Sequence, residues 1–374
     1  MKYYLVAGEA SGDLHGANLM KALKQKDANA EFRFFGGDLM LAEGGTLVKH
    51  YADMAFMGFV EVVANLNSII KNLSLCKNDI KVWQPDVLVL IDFPGFNLKI
   101  AEFAKANGIL VCYYISPKVW AWNQKRVLKI KKIVDHMFCI LPFEVDFYRQ
   151  WGMQVDYVGN PLLDAVAAFK PDTDFHTHHQ LTDKKIIALL PGSRRQEISR
   201  LLPDLVAVAR NWPEYHFVVA GAPSFHADYY YEYLKDSGVN LLFNATYDLL
   251  KNAHAAIVAS GTATLETALF SVPQIVVYKG NTVSVSIARV LVKIRFISLV
   301  NLIMDDAVVK ELIQQDCNPQ TINAELKLIL DNQPYRNKML RNYIELHDRM
   351  GKPGASAKTA NLIVEYTAKN KASG

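Results

Sequence analysis

One stretch in the second half of the chain has the residue types of a phosphate-binding turn. A β-rich run, 255–259, is followed by Ser260, Gly261 and Thr262 and then by a helix-like segment that carries Glu266 one turn in. Backbone N–H groups and hydroxyls can converge on a phosphate at such a helix start, and the helix dipole adds partial positive charge. A carboxylate one turn into the helix could accept hydrogen bonds from ribose hydroxyls. The alternative is an ordinary capped helix, because Ser and Thr are common N-caps.

Two further β-rich runs in the same half end in small or basic residues. Gly192, Ser193 and Arg194 follow the first of these runs, and Gly221 follows the second. A guanidinium can contact phosphate through two parallel hydrogen bonds. The three strand ends together predict one nucleoside-diphosphate site in which Arg194 stabilises the diphosphate. Because the sequence contains neither GxxxxGK[ST] nor a GxGxxG after a strand, a P-loop and a dinucleotide fingerprint are excluded.

The first half offers a candidate general base. Asp92 follows the apolar run 87–91, and Pro94 and Gly95 then turn the chain, which would point the carboxylate into a cleft at the strand ends. Asn97 belongs to the same turn and is a candidate cleft residue. The structural alternative for Asp92 is a residue that caps the next helix or orders the turn.

The loop after the first β-rich run is rich in glycine and polar residues and precedes a helix-like segment. Within it, Ser11 and Gly12 could bind an anion or line the cleft, and Asp13 and His15 are rival candidates for the base. A single His at a helix start is more often a capping or solvated residue. We therefore rank Asp13 and His15 below Asp92.

A basic and aromatic segment follows in the first half. Residues 103–134 include seven Lys or Arg and no Asp or Glu. A solvated helix face is the simpler interpretation, but the neighbouring tryptophans favour a surface that meets sugar rings, acyl chains or phosphate. Ser116, Trp120, Lys125 and Arg126 are the candidate acceptor or cleft residues of this segment.

A membrane-facing surface is a further hypothesis. From 59 to 73 the apolar residues form one helical stripe, and Met57 and Val60 add apolar surface off that stripe. Packing in the core is the simpler interpretation, whereas a helix that is apolar beyond one stripe can also be partly immersed in lipid. In the second interpretation Met57, Phe59, Val60 and Val63 contact the membrane.

Regularly recurring elements must position these residues. We expect strands at 3–7, 87–91, 110–115 and 137–140 in the first half and at 186–190, 216–220, 255–259 and 274–278 in the second, each followed by a helix-like stretch. Strands that are apolar on both faces and separated by helices form parallel sheets covered on both sides. The sequence therefore predicts two doubly wound α/β domains that face a cleft at the carboxyl ends of their strands. A polar stretch at 170–176 is the predicted linker.

Composition narrows the classes of protein. A chain of 374 residues suits two domains, and its net charge of +4 does not demand nucleic acid but is compatible with an anionic membrane or a phosphorylated substrate. The four cysteines form no CxxC pair, which is typical of a reducing compartment. The N-terminal sequence lacks the apolar core of a signal peptide, and no apolar run is long enough to span a bilayer. We therefore expect a cytoplasmic protein.

Seven segments together resemble the lipid-A-disaccharide synthase family in order and spacing. They are GEASGD at 8–13, MGFVEV at 57–62, IDFPGFN at 91–97, SPKVWAW at 116–122, LPGSR at 190–194, SGTATLE at 260–266 and GAS at 354–356. The resemblance covers nearly the whole chain, and no short motif carries it alone. It implies the GT-B fold, with a Rossmann-like acceptor and membrane-facing domain at 1–168 and a Rossmann-like UDP-sugar-binding domain at 169–351. A C-terminal helix over about 352–370 would pack back on the first domain.

The resemblance also implies a reaction, the inverting transfer of a diacylglucosamine unit from UDP-2,3-diacylglucosamine to 2,3-diacylglucosamine 1-phosphate. The products are the β-1,6-linked lipid A disaccharide and UDP, with Asp92 as general base and Arg194 at the diphosphate. GT-B enzymes usually need no metal, so the DxD pattern at 172–174 is interpreted as coincidence, and no cofactor is expected. The implied partners are the two substrates and the cytoplasmic surface of the inner membrane, where the protein would be peripherally associated; a homodimer is left open.

Two other functions fit parts of the sequence. Another UDP-sugar GT-B enzyme, a transferase or an epimerase, would share the nucleotide half, but its first domain should lack the apolar stripe and the Trp-rich basic segment. A catalytically inactive membrane lipid-binding protein would keep the fold, and the presence of both Asp92 and Arg194 argues against it.

Overall fold

The computed structural model describes residues 1–54, 66–181, 184–281 and 295–373. The chain divides into two compact units, one made of Met1–Asp164 and Lys352–Gly374 and the other of Ala165–Gly351. Among the described helices, none combines the length and the apolarity that crossing a bilayer requires.

The helices and strands alternate along the chain. In order they are β1 Lys2–Ala7, α1 Ala10–Lys26, β2 Glu31–Gly36, α2 Asp38–Ala42, β3 Thr46–His50, α3 Leu66–Trp83, β4 Val87–Ile91, α4 Pro94–Ala106, β5 Leu110–Tyr114, α5 Val119–Trp122, α6 Val127–Ile133, β6 His136–Cys139, α7 Pro142–Gln150, β7 Asp156–Tyr157, α8 Pro161–Ala168, α9 Phe175–His178, β8 Ile186–Leu190, α10 Arg195–Ala209, β9 His216–Gly221, α11 Ala227–Leu234, β10 Asn240–Phe243, α12 Thr246–Asn252, β11 Ala253–Ala259, α13 Thr262–Leu269, β12 Gln274–Tyr278, α14 Leu299–Met304, β13 Lys310–Ile313, α15 Pro319–Asp331, α16 Gln333–Met350 and α17 Ala355–Ser373. Short 3-10 turns occur at Tyr51–Asp53, Gln124–Arg126 and Gln314–Asp316.

The first unit is built on a seven-stranded parallel sheet in the order β3-β2-β1-β4-β5-β6-β7. Alternate residues of each strand point to opposite faces. In β1, Tyr4 and Val6 join a cluster with α3, α4, α6 and α7, whereas Tyr3 and Leu5 join a cluster with α1 and α17. Helices therefore cover both faces of this sheet, which explains why its central strands are apolar throughout.

The second unit is built on a six-stranded parallel sheet in the order β10-β9-β8-β11-β12-β13. Strands β8, β9 and β11 contribute buried residues to a cluster that α9 and α12 complete. On other parts of this unit, α10 packs on α15 and α15 packs on α16. Both units are doubly wound α/β structures, as the sequence predicted.

The polar stretch at 170–176, which the sequence predicted as the linker, lies within the second unit and makes defined contacts there. The side chain of Phe175 is 1% exposed and belongs to the cluster of α9 and α12. The N–H of Asp172 donates to a carboxylate oxygen of Asp248 at 2.7 Å. A single buried aromatic residue therefore anchors a segment that is otherwise polar.

Candidate active site

Topology gathers the predicted site residues at the carboxyl ends of neighbouring strands. In the first unit the loop at 8–16 follows β1, Asp92 follows β4, and the segment that starts at Ser116 follows β5; these strands are adjacent in the sheet. In the second unit the turn at 192–194 follows β8, and the turn at 260–262 follows β11, its neighbour. In each unit, therefore, the candidate residues share one edge of the sheet, which is where ligands bind in open parallel sheets.

The main chain at Asp92 is held from three sides. Its N–H donates to the carbonyl of Tyr114 at 3.0 Å. Its own carbonyl oxygen accepts hydrogen bonds from the Tyr113 hydroxyl at 2.5 Å and from Asn97 Nδ2 at 2.7 Å. Asp92 and Phe93 both have left-handed backbone conformations, with φ of 45° and 48°. Left-handed conformations are costly for residues other than glycine and cluster at functional sites.

The Asp92 carboxylate is half-buried, and burial raises its pKa above the ordinary value. The Lys118 ammonium acts in the opposite direction, the Glu9 carboxylate raises the pKa again, and the N–H of Phe93 lowers it. A desolvated carboxylate with a raised pKa is a stronger proton acceptor, which is the property that a general base needs.

Asn97 was expected in the cleft, and the structure gives it a different position. Its side chain is fully buried in the first turn of α4. Besides the contact with Asp92, its Nδ2 lies 3.3 Å from the Val6 carbonyl and 3.2 Å from the Ile91 carbonyl. Asn97 therefore ties the ends of β1 and β4 together beneath Asp92.

Asp13 is also committed to the fold. Its side chain is 2% exposed, and its two oxygens accept hydrogen bonds from the N–H groups of Gly37, Leu39 and Met40 at 2.7, 3.1 and 3.1 Å. These amides lie at the start of α2, where backbone N–H groups lack partners within the helix. The structure thus accounts for Asp13 as a cap for α2, and we leave it out of the proposed reaction.

The other residues of the first loop divide by exposure. Ser11 is exposed, whereas Gly12 is buried against β1, where an added Cβ would lie 3.2 Å from the Cβ of Ala7. His15 is half-buried in α1, and burial lowers its pKa to about 4. At neutral pH the imidazole is therefore uncharged.

The segment after β5 is anchored by a buried network that the sequence did not reveal. The Ser116 and Tyr148 hydroxyls are 2.9 Å apart, and Trp120 Nε1 donates to Glu144 Oε1 at 3.2 Å. The other Glu144 oxygen accepts from the N–H of Leu141 at 3.0 Å. Glu144 is 1% exposed, and burial raises its pKa to about 7. Ser116 and Trp120 therefore face into the first unit.

Beyond this anchor the same segment is exposed. Lys125 is exposed and Arg126 is half-buried. Two large apolar side chains lie on the same stretch of chain, Trp122 at 56% exposure and Leu128 at 53%. Basic and apolar groups are thus presented together. The predicted membrane contacts, Met57, Phe59, Val60 and Val63, lie outside the described residues.

In the second unit, the turn at 260–262 begins α13. Ser260 donates from its N–H to the Val277 carbonyl at 3.0 Å and from its hydroxyl to the Ile297 carbonyl at 2.9 Å. Gly261 is the N-cap and has no side chain with which to cap the helix. Gly261 and Thr262 are exposed, so the first turn of α13 presents its positive end to solvent.

Glu266 lies one turn further along α13. It is half-buried, and one carboxylate oxygen accepts a hydrogen bond from the Tyr247 hydroxyl at 2.8 Å. Burial raises the pKa of Glu266, and the bond from Tyr247 lowers it. Tyr247 packs edge-on against Phe169 and is tilted against Phe270. The carboxylate is therefore held in a fixed position behind the helix start.

The turn after β8 already contains an anion. Glu197 Oε2 accepts from the N–H groups of Ser193 and Arg194 at 3.1 and 3.3 Å, and Glu197 Oε1 lies 2.9 Å from Arg194 NH1. Gly192, with φ of 103°, leaves room for this carboxylate, because an added Cβ would lie 2.4 Å from Glu197 Oε2. Gly192, Ser193 and Arg194 were expected in the nucleoside-diphosphate site. The N–H groups of Ser193 and Arg194 are engaged by the Glu197 carboxylate, whereas the Arg194 side chain is 65% exposed.

Gly221 ends β9 for a packing reason. An added Cβ there would lie 2.5 Å from the Phe243 ring. The next residue, Ala222, donates from its N–H to the Tyr230 hydroxyl at 2.8 Å. Nearby, the Arg195 guanidinium lies over the Tyr229 ring at 4.5 Å, which links the start of α10 to α11.

Within the described ranges, one group of side chains has the spacing of a metal site. Possible ligand atoms of Asp172, Asp174 and His178 lie within 4.8 Å of one another on the second unit. His178 Nδ1 is 2.7 Å from Asp172 Oδ2, and the N–H of Asp174 donates to Asp172 Oδ1 at 3.0 Å. These contacts order the turn before α9, and we assign the group no part in the reaction.

The chain consists of two doubly wound α/β units, and each unit carries its candidate site residues at the carboxyl ends of its strands. This is the architecture of the GT-B class. Solved structures share this fold. UDP-GlcNAc 2-epimerase from Neisseria meningitidis, bound to UDP-GlcNAc, has a TM-score of 0.68 at 15% identity, covering 99% of this chain and 100% of that one. The S. aureus MnaA–UDP co-structure has a TM-score of 0.67 at 17% identity, covering 98% and 96%.

Sequence comparison identifies the family. The model of the lipid-A-disaccharide synthetase family matches residues 3–363. The lipid-A-disaccharide synthase of Syntrophus aciditrophicus is 41% identical over 98% of each chain, and that of Trichlorobacter lovleyi is 38% identical over 96% of each. The chain belongs to the lipid-A-disaccharide synthetase family, and it is therefore an enzyme of the glycosyltransferase type.

Proposed function

We propose that the chain transfers a diacylglucosamine unit from UDP-2,3-diacylglucosamine to the 6-hydroxyl of 2,3-diacylglucosamine 1-phosphate. The products are the β-1,6-linked disaccharide and UDP. Membership of the family supports this reaction over epimerisation, because relatives that are 41% and 34% identical to the chain carry the synthase name. The observation that carries the proposal is the half-buried Asp92 carboxylate, held at a strand end in the first unit.

Asp92 acts as the general base in this proposal. The donor is α-linked and the product is β-linked, so the hydroxyl attacks C1 from the face opposite the diphosphate. The proton of the 6-hydroxyl passes to the Asp92 carboxylate, the O6–C1 bond forms, and the bond between C1 and the diphosphate oxygen breaks. The raised pKa of Asp92 favours its acceptance of this proton.

The second unit binds the donor. The exposed Arg194 guanidinium and the positive end of α13, at Ser260, Gly261 and Thr262, stabilise the charge that develops on the departing diphosphate. Each such donor typically contributes on the order of 3 kcal/mol to lowering the barrier. Glu266 accepts hydrogen bonds from ribose hydroxyls through the carboxylate oxygen that does not receive the Tyr247 bond.

Further residues line the donor side. Gly192, Ser193 and Gly221 keep the chain close to the nucleotide at the ends of β8 and β9. Because Gly192 and Gly221 have no side chain, the backbone can approach the nucleotide closely at these positions. The N–H groups of Ser193 and Arg194 are engaged by Glu197 and are not assigned to phosphate binding.

The first unit binds the acceptor and meets the membrane. Ser11, His15, Lys125 and Arg126 surround the polar part of the acceptor, and the positive charges of the last two favour its phosphate. Gly12 supports them by allowing α1 to pack closely against β1. The exposed Trp122 and Leu128, together with the segment at 57–63, would insert among lipid head groups at the cytoplasmic surface of the inner membrane. Acyl chains would then remain in the bilayer while the sugar hydroxyl reaches Asp92.

The test is a direct assay of turnover. The protein is incubated with UDP-2,3-diacylglucosamine and the acceptor phosphate, and the release of UDP and the appearance of the disaccharide are measured. Asp92→Asn should lower kcat by about 10²- to 10⁴-fold, the usual contribution of a general base. Asp236→Asn is the matched control, because Asp236 is exposed in the second unit and has a similar left-handed φ of 56°.

Two outcomes would reject parts of this proposal. Wild-type protein that releases no UDP in the presence of both substrates would remove the reaction. An Asp92→Asn variant with full turnover would remove the base and leave the reaction standing.

A further inference from the structure

We propose that Tyr113 and Asn97 are positioning residues that aim the Asp92 carboxylate by holding its main-chain carbonyl. This inference rests on the proposed role of Asp92 as the base. Neither residue touches a substrate in this proposal. Both act through the backbone of the residue that does.

The first support is convergence on one atom. The Tyr113 hydroxyl and Asn97 Nδ2 approach the Asp92 carbonyl oxygen at 2.5 and 2.7 Å. Tyr113 lies on β5, the neighbour of β4, and Asn97 lies on α4, which follows Asp92. Two different elements thus donate to a single carbonyl, and with them the Asp92 peptide is fixed relative to both the sheet and the helix.

The second support is the backbone conformation that these bonds hold. Asp92 and Phe93 are consecutive non-glycine residues with φ of 45° and 48°. The Cβ of an L-residue crowds its own carbonyl in this region, so such a pair persists only where the surroundings impose it. The direction of the Asp92 side chain follows from its backbone angles. Loss of the bonds to its carbonyl would let the peptide relax and would move the carboxylate.

The third support is burial of the donors. Tyr113 and Asn97 are both fully buried, and Tyr113 packs in the cluster of α3, α4, α6 and α7. Packing alone would be served by phenylalanine, because a buried hydroxyl is costly unless it is hydrogen-bonded. The cost of this hydroxyl is offset by its short bond to Asp92.

The experiment compares two tyrosines. Tyr113→Phe removes the hydroxyl and keeps the ring. We expect kcat to fall by about 10- to 100-fold, the scale of rate loss that a misplacement of about 1 Å causes, with KM for both substrates unchanged. The pH at which kcat/KM falls on the acid side should stay the same, because the hydroxyl bonds the carbonyl and not the carboxylate.

Tyr4→Phe is the matched control. Tyr4 is fully buried in the same cluster, and its hydroxyl donates to Asp79 at 2.8 Å. Each variant loses one part-buried hydrogen bond of a fully buried tyrosine, so the unfolding temperatures should fall by similar amounts. Only Tyr113→Phe should lose kcat. Asn97→Ser provides a second variant, should Tyr113→Phe fail to fold: it loses the other hydrogen bond to the Asp92 carbonyl, together with the contacts of Asn97 Nδ2 with the Val6 and Ile91 carbonyls.

The outcomes separate this inference from the proposed function. Equal kcat in Tyr113→Phe and Tyr4→Phe, with Asp92→Asn inactive, would overturn the positioning role alone. Full turnover in Asp92→Asn would remove the base and the positioning role together. A loss of kcat that appears in Tyr113→Phe and in Asn97→Ser, and not in Tyr4→Phe, supports the inference.

Discussion

Replacement of Glu144 by glutamine tests how a buried carboxyl group affects stability. Glu144 is 1% exposed near the start of α7, and its two oxygens accept from Trp120 Nε1 and from the N–H of Leu141. Burial raises the pKa of Glu144 from 4.5 to about 7, although the hydrogen bonds it accepts favour the charged form. The folded protein therefore holds on to a proton that the unfolded chain releases.

The sign and size of the effect follow from these two pKa values. Below pH 4.5 the group is neutral in both states, and the stability associated with neutral Glu144 is fully present. As pH rises towards 7, the unfolded chain loses its proton first, so stability falls until the folded carboxyl also ionises. The pKa difference of about 2.5 corresponds to a loss on the order of 3 kcal/mol. Glutamine is neutral at every pH and does not suffer this loss.

The measurement is urea unfolding of wild type and Glu144→Gln across a range of pH. Tryptophan fluorescence reports mainly on the first unit, because Trp83, Trp120, Trp122 and Trp151 lie there. From about pH 5 to about pH 8, the free energy of unfolding of the variant should rise by about 2 to 3 kcal/mol relative to wild type. The NH₂ group of the glutamine side chain would face one of the two donors, Trp120 Nε1 or the N–H of Leu141. This mismatch changes the free energy of unfolding of the variant by the same amount at each pH.

A control and a contrary result complete this test. Glu102→Gln removes a half-exposed carboxylate from the same unit and reports what loss of a surface charge does. If the difference between Glu144→Gln and wild type stays flat over this range of pH, burial of a proton-holding carboxyl is the wrong account of Glu144.

Two further predictions concern charges at the strand ends. Lys118 lowers the pKa of Asp92 and Glu9 raises it. Lys118→Gln should therefore move the acid-side fall of kcat/KM to higher pH, and Glu9→Gln should move it to lower pH. Shifts of both variants in the same direction would contradict this prediction. Glu197→Gln should tighten UDP binding up to about fivefold in calorimetry, because the exposed ion pair that it breaks with Arg194 is worth about 1 kcal/mol at most. Weaker UDP binding would mean that Glu197 chiefly organises the turn.

The central strands could be predicted from the sequence because they are apolar on both faces. The outer strands could not. Glu31–Gly36 carries Arg33 in its middle, where the guanidinium pairs with Asp79 at 2.6 Å, so the charge hides an otherwise aromatic strand. Thr46–His50 and Asn240–Phe243 lie at sheet edges and are at most half-buried. Edge strands lack the continuous apolar pattern that marks a strand covered by helices on both sides.

Residue types at strand ends make Asp92, Arg194 and the turn at 260–262 candidates, because their spacing along the chain puts them at the carboxyl ends of strands. Their partners were hidden, since these contacts join residues far apart in sequence. Tyr113 reaches Asp92 across 21 positions, and Tyr247 reaches Glu266 across 19. Each tyrosine looks like ordinary packing in the sequence, and only the fold shows where its hydroxyl goes.

Each of the two candidate acidic residues accepts a hydrogen bond from a tyrosine hydroxyl, Asp92 from Tyr113 and Glu266 from Tyr247, but the accepting atom differs. At Asp92 the Tyr113 hydroxyl donates to the main-chain carbonyl, so the carboxylate is aimed while its proton affinity is left to burial and to nearby charges. At Glu266 the Tyr247 hydroxyl donates to the carboxylate and so offsets part of the rise in pKa that burial causes, which favours the charged form. A base must take up a proton during the reaction, whereas a group that binds ribose hydroxyls must remain an acceptor. The choice of atom therefore suits each carboxylate to its proposed task.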